Sequence, residues 1–136
     1  MTTDFYPLET YIAASLEAEA VRYADLTRSA RLSHEKDAAK EFQRAANSFA
    51  KALAYWSSGV RPEQTPAGNW LIPSQRGPDE PPHLLHMSGD WCCSCAAGES
   101  WHWAKALIVG IEMAWDAAGR DVNYDEAIAA LDECYG

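Results

Sequence analysis

The stretch DWCCSCAAGESWHW, residues 90–103, holds three cysteines, one histidine and three tryptophans in fourteen positions. Few folds accommodate such a cluster. Cys92, Cys93 and Cys95 stand too close together to reach disulfide geometry with one another readily, and the chain has only one other cysteine, Cys134. In a reducing compartment, grouped thiols with a neighbouring histidine point to a metal before a disulfide. Zinc takes four sulfur or nitrogen ligands in a tetrahedron. A Cys-x-Cys turn offers two, and the first turn of a following helix offers another, because its side chains lean back toward the helix start. Cys93, Cys95 and His102 meet that requirement.

The flanking segments supply the elements. HLLHM (83–87) and WCCSC (91–95) are short strand candidates, with SGD as a three-residue hairpin loop. Pairing Met87 with Trp91 sets His86 opposite Cys92, Leu85 opposite Cys93 and His83 opposite Cys95. Alternation then puts Trp91, Cys93 and Cys95 on one face. A third helix is expected from about Trp101 to Ala118. Ala104, Leu107, Ile108, Ile111, Trp115 and Ala118 form its apolar stripe, and Ser100 is placed to cap it.

Upstream, residues 8–31 read as a helix, with Ile12, Leu16, Ala20, Tyr23, Leu26 and Ala30 at helical spacing after Pro7. Ser33 is expected to cap a second helix running to about Ser58. Phe42, Ala46, Phe49, Leu53 and Trp56 form its stripe, and Gly59 ends it. The short link makes the two an antiparallel hairpin. Residues 59–82 hold six of the seven prolines and read as an extended connector. NWLIPS within it is a candidate edge strand, because Pro73 cannot donate to a ladder. Asn123 and Glu126 form a capping-box pair that opens a short acidic last helix over 119–136, ending near Cys134, itself read as a small core residue.

The chain of 136 residues therefore reads as one α+β domain, mostly α. Its parts are a helical hairpin (8–58), a Pro-rich connector (59–82), a ββα unit (83–118) and an acidic C-terminal helix (119–136). No apolar run approaches the roughly 18 residues of a membrane span, and no export signal is visible, so a cytoplasmic location is expected.

The core CSC…SWHWAKALIVGIEMA resembles the SWIM-type zinc finger, which reads Cys-x-Cys, a spacer, then Cys-x-His opening an aliphatic helix. GNWLIPSQRG…HLLHMSGDW resembles the strands before that motif in small bacterial and phage relatives, where a helical pair often comes first. The resemblance covers residues 59–116 well and 8–58 by architecture only. It implies Cys93 and Cys95 as the first ligand pair and His102 as the last. This chain departs from the pattern at Ser100, where the family has a cysteine. Two outcomes stay open. Structural Zn2+ is retained with a fourth ligand from Cys92, His83 or Glu99, or the metal is lost and Trp91, Trp101 and Trp103 hold the hairpin to the helix, each burying ~150–250 Å².

A nucleophilic Cys92 or Cys93 with His102 as base lacks an orienting group and an oxyanion donor, so no enzyme is expected. His34 reads as solvated. The resemblance implies recognition of DNA or protein, and the net charge of −9 tilts the expectation toward a protein partner with a basic surface. One form of that reading is an acidic, phage-type inhibitor that occupies the nucleic-acid groove of a host defence complex through Asp116, Asp121, Asp125, Glu126, Asp132 and Glu133. The alternative is a SWIM-type DNA-binding accessory protein, using a patch drawn from Arg22, Arg28, Arg31, Lys36, Lys40, Arg44 and Lys51. Residues 61–110 contribute only Arg61, Arg76 and Lys105 to any phosphate-binding surface. Nothing in the sequence fixes the oligomeric state.

Overall fold

A computed structural model describes residues 5, 7–77 and 79–118. The expected helix over 119–136, its acidic residues from Asp121 onward and Cys134 lie outside the described residues. Helices α1 (Glu9–Leu32) and α2 (Lys36–Ser57) are followed by strands β1 (Glu63–Gln64), β2 (Trp70–Ile72), β3 (His83–Ser88) and β4 (Asp90–Cys93). A third helix, α3, covers residues 103–118. The α+β, mostly α class and the N-terminal helical pair are as the sequence predicts.

The link between α1 and α2 is closed by a different device from the expected Ser33 cap. Ser33 ends α1, and α2 starts from Glu35 without a side-chain cap. The His34 amide donates to the Arg31 carbonyl and the Glu35 amide to the Ala30 carbonyl, at 3.1 and 2.8 Å. His34 sits at φ 61°. This is a Schellman closure with a histidine in the left-handed position that glycine usually fills. The carbonyls of α1 are thereby satisfied by backbone alone.

The strands form one antiparallel sheet in the order β1-β2-β3-β4. NWLIPS is not an edge. β2 pairs with β1 on one side and β3 on the other, and Pro73 falls just after the strand, where it removes no ladder bond. The β3–β4 register is the expected one, with Leu85 opposite Cys93, His86 opposite Cys92 and Met87 opposite Trp91. The loop is tighter than SGD, since Ser88 also pairs with Asp90 across Gly89 at φ 78°. β4 stops at Cys93 rather than running to Cys95.

The inward face of the sheet carries Trp70, Ile72, Leu85, Trp91 and Cys93, all buried. α3 lies between that face and the helical pair. A Cβ added at Gly110 would meet Leu16 of α1 at 2.4 Å, so the two helices approach closely at a position only glycine leaves open. On the other side, the Trp91 indole N–H donates to the Glu112 carboxylate of α3. Enclosure on both sides explains why Ala104, Ala106, Leu107, Ile108, Ile111 and Ala114 are all fully buried, where one amphipathic stripe would bury fewer.

Three aromatic groups mark the seams. Phe5, Trp56, Trp70 and Trp115 meet at one end. Tyr23 and Phe49 receive Trp101 in the middle. Trp103 meets the Tyr55 ring edge-on at 4.6 Å and the His83 ring at 5.2 Å. The tryptophans of the 90–103 stretch thus fasten that segment to the helical pair as well as to α3.

Candidate metal centre

After Cys93 the chain leaves the sheet and coils into a knuckle. The Ser94 amide still reaches the Leu84 carbonyl at 2.9 Å, while the Cys93 amide turns to the Gly98 carbonyl at 2.9 Å and the Gly98 amide to the Cys95 carbonyl at 3.2 Å. Gly98 closes the turn at φ 58°. The Cys95 amide points at the Cys93 sulfur, 3.5 Å away. An N–H aimed at a sulfur favours its thiolate form.

His83, Cys93, Cys95 and His102 converge there, with one ligand atom from each within 4.8 Å of all the others. The His83 Nδ1 lies 3.3 Å from the Cys93 sulfur, and the His102 Nε2 lies 3.6 Å from the Cys95 sulfur. In a tetrahedron with zinc–sulfur bonds of ~2.3 Å and zinc–nitrogen bonds of ~2.0 Å, an S···N edge is roughly 3.5 Å. These two edges bracket that value, and the four ligand atoms lie close enough together to hold a metal ion. Cys93 and His83 stand diagonally across the β3–β4 ladder, on the same face. Cys95 comes from the knuckle and His102 from the residue that opens α3, since the Ala106 amide donates to the His102 carbonyl at 3.0 Å.

His102 is oriented by a backbone group. Its Nδ1–H donates to the Ser100 carbonyl oxygen at 3.0 Å. That bond fixes the tautomer and leaves the Nε2 lone pair free to take a metal. Ser100 thus serves through its main chain. It does not cap α3 as expected: the helix starts at residue 103 and its first bond is accepted by the His102 carbonyl, which puts the cap position two residues beyond Ser100.

Alternation along β4 turns Cys92 away from this group. Its thiol faces the Asp90 carbonyl at 3.7 Å and the Glu99 carboxylate at 3.4 Å. Glu99 is likewise outside the group of four. Of the three candidates for a fourth ligand, the structure brings in His83. The expected His83–Cys95 pairing carried that signal in the sequence.

Without an ion, burial weights the site toward its neutral forms. Burial pushes the Cys93 thiol up to about 11. Burial also lowers His83, helped by His102 and Arg76, and lowers His102, helped by Lys105. Two neutral imidazoles are ready as ligands at neutral pH, whereas the thiols must release protons to bind.

Lys105 braces the knuckle. The residue is 3% exposed, and its ammonium bonds Asp90 at 2.8 Å and the Glu99 carbonyl at 2.7 Å and lies over the Trp101 ring. It joins β4, the knuckle and α3, and so is not available to an outside phosphate. Asp90 is lowered below the ordinary carboxylate value chiefly by this bond.

Comparison with known proteins finds no matching family, no curated relative and no similar solved structure. Among the described residues, no helix is long and apolar enough to cross a membrane.

Proposed function

We propose that this chain is a non-catalytic recognition protein built around a structural zinc centre of His83, Cys93, Cys95 and His102. The observation that carries the reading is the convergence of four ligand atoms within 4.8 Å, drawn from a strand, a knuckle and a helix start. Four protein ligands fill a tetrahedron and leave no position for substrate or water. The second nitrogen of His102 is committed to Ser100, so neither it nor an adjacent carboxylate serves as a general base there. The metal stitches together elements that the short strands alone hold weakly.

The motif's likeness to SWIM-type fingers supports the same reading, with His83 standing in for the missing cysteine. Of the two partner classes, the acidic-inhibitor form draws its face mainly from residues 121–133, outside the described residues. The nucleic-acid form gains support from a row of cations beside the metal centre. Native mass spectrometry of the protein as purified, then after chelation, tests the metal reading. One zinc per chain is expected, lost on chelation together with near-UV signal from the tryptophans. A chain that carries no metal and takes up none when zinc is added would overturn it.

A further inference from the structure

A groove of about 850 Å³ runs along the outer face of α2. It is lined by Arg31, Lys36, Lys40, Arg44 and Lys51, and among the described residues no acidic side chain lines it. All five cations are exposed. On α2 they recur at intervals of four, four and seven residues, so they share one stripe. Steps of four residues advance about 6 Å along the helix, close to the spacing of successive phosphates along one nucleic-acid strand. The acids Asp37 and Glu41 stand one residue further along, about 100° around the helix. Glu41 reaches Arg44 only at 3.8 Å, with both side chains more than half exposed, which ties up little of the arginine's charge.

The other basic residues of the helical pair are spent or remote. Arg22 is locked in a two-pronged contact with the buried Glu19, at 2.7–3.2 Å, and Arg28 stands beside Asp25 at 3.9 Å. Neither lines the groove. One wall of the groove is made by His102 and Trp103, the first a metal ligand and the second packed on His83. The trough therefore abuts the metal centre directly.

We propose that this groove binds the phosphate backbone of a nucleic-acid strand, with Lys36, Lys40 and Arg44 neutralising successive phosphates and Lys51 a more distant one. The proposal rests on the reading of the chain as a recognition protein and names its ligand. The overall charge of −9 opposes approach at long range. At physiological ionic strength, charges beyond about 8 Å are largely screened, so the local row decides the contact.

The test is fluorescence anisotropy of the full, zinc-loaded chain with a labelled 20-nucleotide DNA, single-stranded in one arm and duplex in the other, which tells the two sources apart. Zinc content is measured on the same samples. About four neutralised phosphates of a single strand give a roughly 50-fold loss of affinity between 50 and 200 mM salt. Lys40→Glu and Arg44→Glu, both at exposed positions, are expected to weaken binding at least fivefold each and to lower the salt slope by about one apiece. Arg28→Glu, away from the groove, is expected to change it less than twofold. No binding in either arm at 50 mM salt by metal-loaded protein would overturn the proposal. So would groove variants that bind like the parent chain, or a polyglutamate peptide that binds more tightly than either DNA. Binding by a chain that carries no zinc would leave the groove standing and sink the metal reading instead.

Discussion

Replacing His83 separates the competing ligand sets most sharply. Structural zinc sites in small peptides contribute about 10–16 kcal/mol at neutral pH. Divided over four ligands, that is about 2.5–4 kcal/mol each. Since 1.36 kcal/mol corresponds to tenfold, His83→Ala is expected to weaken zinc binding by roughly 10²- to 10³-fold. His83 lies 3.3 Å from the Cys93 sulfur, so its loss leaves three ligands and an opening for water. Cys92 faces Asp90 and Glu99 instead, and Cys92→Ser is expected to change affinity less than threefold. Ser100 acts through its carbonyl, so Ser100→Ala is also expected to be near neutral. Competition with a chromophoric chelator gives the three affinities. Cobalt substitution adds a geometric readout, because tetrahedral cobalt absorbs strongly in the visible and loses that intensity when water enters the shell. Retention of affinity by His83→Ala together with its collapse in Cys92→Ser would refute the diagonal-ligand argument and move the fourth ligand to the other face of β4.

Three further expectations follow from contacts elsewhere. Lys105→Met keeps the buried stem but removes the ammonium from Asp90 and the Glu99 carbonyl, and is expected to cost about 1–3 kcal/mol in chemical denaturation; a change below 0.5 kcal/mol would remove its bracing role. Gly110→Ala gains up to about 1 kcal/mol of helix propensity but drives a methyl into Leu16, which costs about 1–3 kcal/mol, so a net loss in melting temperature is expected and a gain would contradict the close approach. In the metal-free chain, stability should fall on both sides of neutrality. His83 and His102 are depressed, so below their unfolded value of about 6.5 the unfolded chain binds the extra protons and is favoured. Cys93 is raised to about 11, so above about 9 the unfolded chain releases its proton first and is again favoured. A denaturant midpoint flat from pH 5 to 10 after chelation would argue against the buried, ion-free geometry.

Helices and hairpin were legible because each rests on a local, periodic signal. The stripe from Phe42 to Trp56 and that from Ala104 to Ala118 could be read from spacing alone. The β3–β4 register followed from placing Met87 against Trp91. Ser33 and Ser100 have the right chemistry for a cap, but a backbone closure at His34–Glu35 ends α1 and α3 starts two residues later than Ser100 would set it; such details depend on dihedral angles that side-chain identity constrains weakly. The sequence suggests an edge for β2 because Pro73 falls within NWLIPS, whereas the strand ends at Ile72, one residue before it. In sequence His83 stays one of three possible ligands because bringing it, Cys95 and His102 together depends on the knuckle's path after Cys93, which Gly98 closes. The seven bases of the helical pair were visible in sequence. Their division into five along one groove and two set apart was not, since it depends on where α1 ends and where α3 begins.

The confinement of all four candidate ligands to residues 83–102 bears on how the molecule is made. A metal captured within so short a loop pays little closure entropy and does not wait for the N-terminal helices to dock. A ββα segment that binds an ion there would therefore take it up early and offer α3 as a preformed template. With an ion bound, the helical pair would then have a surface on which to settle, and the order of assembly would run against the order of the chain.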